Sequence, residues 1–137
     1  MKHAARVSVV VFAIVAVIVI LVFWKRADRA QAIGELEQRY EAQISINGDE
    51  FYLGCSSPRL ETLEELAALA KRVGDPTILD LTGASSLRSL AGAEQLPGLV
   101  SIVAIDCPAL ASLEGVEGHP SLRELVFTDS AALSDAS

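Results

Sequence analysis

Apolar residues follow distinct spacings in different parts of this chain. Residues 7–24 form an uninterrupted run of 18 positions without a charged side chain. Residues 76–137 instead carry apolar positions that return every 23 residues, and the stretch between contains alternating and helical patterns. A repeat period of 20–50 residues is typical of stacked units, none of which can bury its apolar face alone. The pattern therefore predicts an apolar N-terminal segment followed by a small repeat domain.

The repeat is visible as aligned columns of apolar residues. One unit, beginning at Leu99, reads LVSIVAIDCPALASLEGVEGHPS. The aligned columns are Leu79, Ile102 and Leu125; Leu81, Ala104 and Phe127; Leu87, Leu110 and Leu133; Leu90 and Leu113; Ala93 and Val116; and Leu99 and Leu122. These columns predict short strands at 78–82, 101–105 and 124–128. Because the interval between them is too long for hairpins, we expect the strands to be parallel and joined by crossovers.

The segment from Leu99 to Leu110, with the pattern L-x-x-I-x-A-x-x-C-x-x-L, resembles the leucine-rich repeat. The ninth position of each unit also holds a small residue, and the three residues are Ala84, Cys107 and Ser130. The resemblance covers residues 76–137 and implies an α/β solenoid with a short parallel sheet on the concave side. The segments that lead from one strand to the next, here called return segments, would lie on the convex side. It also implies that the concave sheet binds a partner, without indicating which one.

Side chains in a strand alternate between two faces, so each predicted strand has a core side and an outward side. We expect these residues in the core: Leu79, Leu81, Ile102, Ala104, Leu125 and Phe127. The candidate partner-binding residues, here called the outward face, are Ile78, Asp80, Thr82, Ser101, Val103, Ile105, Glu124, Val126 and Thr128. Exposed apolar surface with a polar rim commonly marks a contact site. Two alternatives stay open: β-branched residues are simply good strand formers, or the segment before the domain folds over them.

Residues 7–24 are long enough to cross a membrane. At about 1.5 Å per residue the helix is roughly 27 Å long, close to the roughly 30 Å of a bilayer's hydrocarbon core. A cleaved secretory signal is the alternative, because Ala30-Gln31-Ala32 has the small-x-small form of a cleavage site. The apolar run is too long for such a signal, and four charged residues separate it from that site. We therefore interpret 7–24 as an uncleaved, single-pass signal-anchor that follows a tail at 1–6.

The charges that flank this helix do not clearly set its orientation in the membrane. Two basic side chains and the α-amino group precede the helix and three basic side chains follow it, so the positive-inside count is nearly balanced. We expect the short tail to stay in the cytoplasm and the acidic C-terminal domain to be extracytoplasmic. Since no ionisable residue interrupts the apolar run, we expect a plain tether to the lipid bilayer rather than an ion path.

Residues 25–43 are predicted to continue the helix as a stalk or linker. They contain no Pro and are rich in Ala, Glu, Gln and Arg. Ile33, Leu36 and Tyr40 fall at the spacing i, i+3, i+7, which also suits a short coiled coil. Dimerisation through this segment is therefore an alternative, and a homo-oligomer is one of the partner classes that the sequence leaves open.

A β-hairpin is predicted at the start of an N-terminal cap that covers residues 44–75. Asn47-Gly48 lies between apolar β-formers and is a strong signal for a type I′ turn, because both central positions of that turn favour φ > 0. The predicted strands are 43–46 and 50–54. We expect this hairpin to cover the first unit of the repeat.

A helix over 58–73 is predicted to complete the cap. Ser57 suits the N-cap and Pro58 the first helical position. Leucines at helical spacing make one apolar face, and Gly74 is a natural residue for the C-terminal end.

The charge of the chain changes sign after the membrane segment. Residues 1–32 hold five Lys or Arg and one acidic residue. Residues 33–137 hold six Lys or Arg and seventeen Asp or Glu, which gives this part a net charge of −11. A domain this acidic does not bind nucleic acid through counterion release, so we expect no nucleic-acid partner. Acidity of this kind most often serves solubility.

Sequence motifs for catalysis and cofactor binding are not found. Phosphate-binding, dinucleotide-binding, zinc-protease and nucleophile-elbow signatures are missing, and two His with two scattered Cys do not match a zinc site. Cys55 and Cys107 are predicted to lie two strand spacings apart, roughly 10 Å, beyond the roughly 7 Å limit of a disulfide. We expect free thiols, no cofactor, no metal and no enzymatic activity.

These features together predict a binding module in which a membrane-anchored, leucine-rich-repeat-like domain holds a protein partner on its outward face. A structural role is the alternative, because the C-terminal end of such an array exposes a strand edge that a second subunit could cover. A third alternative is a shortened relative of a longer repeat protein, with no independent activity.

Overall fold

The fold combines one long apolar N-terminal helix with a mostly parallel five-stranded sheet. The computed structural model describes residues 2–128, with side chains from residue 8 onward. Its elements are α1 (Lys2–Tyr40), β1 (Gln43–Asn47), β2 (Glu50–Gly54), α2 (Glu64–Val73), β3 (Ile78–Asp80), a 3₁₀ turn (Ala93–Gln95), β4 (Ser101–Ile105) and β5 (Glu124–Thr128). Within these residues the strands lie side by side in sequence order, and only β1 and β2 are antiparallel.

Residues that pair between adjacent repeat strands are 23 positions apart, which is the period of the sequence. Leu79 pairs with Ile102, and Ile102 pairs with Leu125, so residues 23 apart lie beside one another. The return segments keep the same offset, since Ser89 forms a parallel bridge with Ser112. The parallel direction of β3, β4 and β5 and the alignment of their columns are therefore confirmed.

Strand β3 is shorter than the predicted 78–82, because the chain turns after Asp80. The Asp80 carboxylate accepts a hydrogen bond from the Thr82 backbone N–H at 3.0 Å, and Gly83 has a φ of +82°. The pairing with β4 continues through this turn, since the Leu81 N–H donates to the Val103 carbonyl at 2.6 Å. Strand β3 thus bends while it stays in register.

The predicted hairpin is confirmed and forms one edge of the sheet. Asn47 pairs with Glu50, so the two central residues of the turn are Gly48 and Asp49 and not the predicted Asn47 and Gly48. Of these two only Gly48 has a positive φ, +61°, so the prediction of a type I′ turn is wrong although the hairpin itself is present. Strand β2 then pairs with β3 in parallel, with Leu53 beside Leu79. The hairpin is therefore continuous with the sheet that carries the repeats.

Helix α2 begins at Glu64, so the predicted start at Pro58 is wrong. The Ser57 hydroxyl accepts a hydrogen bond from the Arg59 N–H at 3.2 Å and caps a tight turn instead of a helix. The residues between follow the neighbouring return segment, because the Leu63 N–H donates to the Ala91 carbonyl at 2.8 Å. The predicted end is right, since the helix stops at Val73, before Gly74.

The second half of α1 packs against α2 and belongs to the folded domain. Ala32 and Leu36 are fully buried there, and Tyr40 is 3% exposed. Residues 25–43 are therefore not a free stalk, and Leu36 and Tyr40 are not available for a coiled coil. The helix continues without a break from the apolar run into this packed segment.

Burial within the aligned columns decreases towards β5. Leu81 and Ala104 are fully buried, whereas Phe127 in the same column is 40% exposed and Leu125 is half-buried, so the prediction of a buried Phe127 is wrong. The physical reason is that, among the described residues, no further strand covers β5. Leu87 and Leu110 are buried as predicted, and the expected positions Ser130 and Leu133 lie outside the described residues.

Candidate functional site

The sheet register brings the predicted partner-binding residues onto one face. Asp80, Val103 and Val126 form one row across three strands, and Ile78, Ser101 and Glu124 form the row before it. The other members of the outward face are Thr82, Ile105 and Thr128. All nine are half-buried or exposed, whereas Leu79, Ile102 and Ala104 between them are fully buried.

The centre of this face is apolar. Ile78, Val103, Ile105 and Val126 are all half-buried, and Val103 lies directly between Asp80 and Val126. Branched aliphatic side chains at adjacent positions form a rigid surface, because each has few χ1 rotamers and so loses little conformational entropy on contact. The arrangement can hold an apolar side chain of another molecule.

Helix α1 does not cover the outward face. It packs against α2, and α2 lies on the core side of the sheet, where Leu66 and Leu79 are buried. The alternative in which the segment before the domain folds over the outward residues is therefore wrong. The preference of β-branched residues for strands remains a sufficient reason for their presence, so exposure alone does not assign a function.

A hydrogen-bonded group of three side chains borders the apolar centre. The Tyr52 hydroxyl donates to Asp80 Oδ2 at 2.8 Å, while the Thr82 hydroxyl donates to Asp80 Oδ1 at 2.6 Å. Burial works to raise the pKa of Asp80, but the hydrogen bonds from Thr82 and Tyr52 outweigh it and hold that pKa below its ordinary value. The same bond to Asp80, followed by burial, raises the pKa of Tyr52. Asp80 is therefore a carboxylate at neutral pH.

A polar cleft lies next to this group, where β2 and β3 end. Its volume is about 200 Å³, and it is lined by Glu41, Gln43, Tyr52, Gly54, Cys55, Ser56, Asp80 and Thr82. Among these lining residues two are acidic and none is basic. The cleft can therefore accept a cationic or hydrogen-bond-donating group.

Sequence reasoning did not place Tyr52, Glu41 or Gln43 at this site. Tyr52 lies between Phe51 and Leu53, which are both buried, so strand alternation turns its ring outward. That alternation could have been found in the sequence. What could not be found is that β2 runs parallel to β3, which sets Tyr52 beside Ile78 and within reach of Asp80.

Both cysteines are buried and free. The Cys107 thiol donates to the Leu81 carbonyl at 3.1 Å, and the Cys55 thiol donates to the Tyr40 carbonyl at 3.4 Å. Burial raises the pKa of each thiol, and a protonated thiol is a poor nucleophile. Within the described residues, no three His, Cys, Asp or Glu side chains meet as a metal-binding group.

His119 has a structural position in the second unit of the repeat, which begins at Leu99. One ring nitrogen, Nε2, lies 3.0 Å from the Leu96 carbonyl, while Nδ1 lies 3.3 Å from the Ser121 backbone nitrogen. Because backbone N–H groups can only donate, Nδ1 accepts and Nε2 carries the proton. The imidazole thus joins the return segment of the second unit to that of the first.

No protein-family model matches the chain, and neither a curated protein nor a solved structure does.

Proposed function

We propose that this protein is a membrane-anchored binding module that holds a protein partner on the outward face of its sheet. In this proposal residues 7–24 of α1 span the bilayer, and residues 76–137 form a short solenoid of the leucine-rich-repeat type. The domain lies on the extracytoplasmic side. A homo-oligomer is not required.

The observation that carries the proposal is the apolar centre of the outward face. Val103 and Ile105 on β4 and Val126 on the edge strand β5 are only half-buried, and no helix covers them in the described chain. A contact surface of this kind gains free energy when a partner removes it from water, about 25 cal/mol per Å² of apolar area.

The membrane anchor is supported by the first half of α1. From Ser8 the helix is long and apolar enough to cross a bilayer by length and composition, and the apolar part has no contact with the domain that would bury it. Phe23 and Trp24, which end the apolar run, are 70% and 71% exposed, at a position where aromatic residues commonly meet the lipid headgroups.

The chemistry of the face indicates the kind of partner segment. Asp80 and Glu124 lie beside the aliphatic centre, and the cleft next to Asp80 carries a second acid, Glu41. A complementary segment presents aliphatic side chains to Val103 and Val126 and a Lys or Arg to the cleft, since opposite charges favour encounter and register.

Site-specific photo-crosslinking tests this function in native membranes. A photoreactive residue at Val103 is expected to trap a protein partner, whereas one at the exposed Ser85, on a loop beyond β3, is not. Alanine at Val103, Ile105 and Val126 should abolish that capture and leave the melting temperature nearly unchanged. Equal crosslinking from both positions, or loss of folding in the triple variant, would contradict the proposal.

A second candidate function, an assembly subunit, is favoured by the exposure of β5. Phe127 is 40% exposed although its aligned residues Leu81 and Ala104 are fully buried, so a subunit packed on this strand would cover apolar surface. Light scattering of the detergent-solubilised full chain separates the two functions. A monomer at high concentration would remove the assembly role and leave the binding module.

A further inference from the structure

The domain follows closely after the apolar run of α1. The helix is continuous, and its first polar contact with the domain is the pair between Asp28 and Arg72, whose Nε donates to Asp28 Oδ1 at 3.0 Å. Asp28 lies four positions after Trp24, which is about 6 Å along a helix. A lipid headgroup layer is roughly 5–7 Å deep on each side of the hydrocarbon core. The domain therefore begins at headgroup level if the apolar run spans the bilayer.

One edge of the domain lies nearest the apolar run of α1. The two helices run antiparallel, since Asp28 contacts Arg72 while the Tyr40 hydroxyl donates to Glu65 at 2.6 Å. The C-terminal end of α2 is thus the end nearest the apolar run. A Cβ built on Gly74, just beyond that end, would lie 3.5 Å from the Phe51 ring near the start of β2. The starts of the parallel strands are therefore at the same edge.

Exposed apolar side chains are concentrated at this edge. Ile46 pairs with Phe51, Phe51 bonds to Thr77, and Thr77 bonds to Val100, so all four belong to one row across the strand starts. Ile46 is 45% exposed and Val100 is 42% exposed. Outside α1 and within the described residues, the other exposed large apolar side chain is Phe127, on β5. Exposure to water alone does not explain why two of these three side chains, Ile46 and Val100, lie at the edge nearest the apolar run of α1.

Basic side chains surround the same edge although the domain as a whole is acidic. Lys25, Arg26 and Arg29 on α1 and Lys71 on α2 are exposed, and Arg72 is paired with Asp28. Acids are present too, at Asp49, Glu50 and Asp75, so the edge is mixed in charge rather than purely cationic. Lys and Arg side chains form charge-assisted hydrogen bonds with phosphate groups, which phospholipid headgroups carry.

We propose that this edge, comprising Ile46, Asn47, Lys71, Asp75, Val100 and Arg123, rests in the phospholipid headgroup layer of the bilayer that α1 spans. The inference depends on the membrane span of the proposed function. It adds that the domain is held in one orientation: the strands run away from the bilayer, the outward face is presented sideways, and the cleft beside Asp80 is at the far end. A partner then reaches the outward face without passing through lipid.

Two single-cysteine labels test the orientation in the full chain reconstituted into vesicles. Asn47→Cys lies in the hairpin turn at the proposed lipid edge, and Ser85→Cys lies on an exposed loop at the opposite end of β3. Each carries a fluorophore, and lipids with a nitroxide on the headgroup act as quencher. We expect quenching at position 47 to exceed that at position 85 at least threefold. The unsubstituted chain is the blank, because its own thiols are buried.

A linker variant provides the matched control. A linker of six residues, alternately Gly and Ser, is inserted after Ala27. It leaves the contact between Asp28 and Arg72 in place but separates the domain from the apolar run. Quenching at position 47 should then fall to the level at position 85. Equal quenching at both positions in the original chain, with the chain retained in carbonate-washed vesicles, would overturn the inference alone. Loss of the chain from washed vesicles would instead overturn the membrane anchor of the proposed function.

Discussion

Gly115 passes directly over the carbonyl group of Leu90, so close that a Cβ atom on Gly115 would lie 2.2 Å from the Leu90 oxygen. Gly92, 23 residues earlier, approaches the backbone of Leu63 in the same way, with its Cβ position 2.4 Å from the carbonyl carbon. Both glycines have a positive φ, +100° and +109°. Neighbouring segments on this side of the domain thus come closest at glycine, and the close stacking of the units depends on these two positions.

Gly115→Ala is expected to destabilise the domain by about 2–6 kcal/mol. An alanine would combine an unfavourable φ with a clash against backbone that cannot move aside, and each effect costs about 1–3 kcal/mol. Chemical denaturation of the full chain in detergent measures the difference. Gly34→Ala is the matched control, because nothing lies within 4 Å of its Cβ position in α1. It should be neutral or stabilising by up to about 1 kcal/mol, and an equal loss in both variants would contradict the close approach at Gly115.

Leu36→Ala is expected to destabilise the domain although the residue lies on the anchor helix. Leu36 is fully buried against α2, and a Leu→Ala change at such a site costs about 2–5 kcal/mol. Leu21→Ala in the same helix is the control, because Leu21 is 57% exposed and contacts no part of the domain. Domain unfolding followed by near-ultraviolet circular dichroism should separate the two variants. Equal stability would mean that the second half of α1 is a spacer.

Tyr52→Phe is expected to cost about 0.5–1.5 kcal/mol at neutral pH, the usual contribution of one hydrogen bond. The folded-state pKa of Asp80 lies below its ordinary value of 3.8, so its stabilisation is complete above pH 3.8 and is lost as pH falls through the folded-state pKa. The pKa of Tyr52 is raised above 10.0, so its contribution disappears only in strong alkali. The difference between wild type and variant should therefore be constant at neutral pH and shrink in acid.

Asp80→Asn distinguishes this hydrogen bond from a general effect of acid. The amide cannot titrate, so stability measured between pH 5 and pH 2 should fall less steeply in the variant than in wild type. A Tyr52→Phe difference that persists unchanged at pH 2, or parallel acid curves for wild type and Asp80→Asn, would show that Asp80 carries no stabilising charge.

How much of this fold the sequence predicts depends on where each interaction lies. The column of Leu79, Ile102 and Leu125 was predictable because every parallel unit repeats the same local chemistry at the same interval. The hairpin was predictable because Gly48 alone supplies the positive φ of its turn. Such features depend on residues near one another in the chain or on a strict period.

Features that depend on a distant partner could not be predicted in the same way. The Ser57 side chain serves a helix N-cap and a tight turn equally well, and the choice is made by the bond from Leu63 to Ala91. Leu36 and Tyr40 suit a coiled coil as well as they suit α2. The cleft beside Asp80 required the β2–β3 register, for which the sequence carries no period.

The cysteines allow the side of the membrane to be determined. Cys55 and Cys107 are buried, and burial raises the pKa of each thiol above 9.0, so both are expected to resist a maleimide at pH 7 until the chain is denatured. Ser56→Cys places a thiol on an exposed position next to Cys55 and should react at once in purified protein. In intact cells, a membrane-impermeant maleimide should label Ser56→Cys and leave the original chain unlabelled, because the domain is extracytoplasmic in the proposed function. Labelling of Ser56→Cys only after lysis would place the domain in the cytoplasm, and rapid labelling of the original chain would contradict the burial of its thiols.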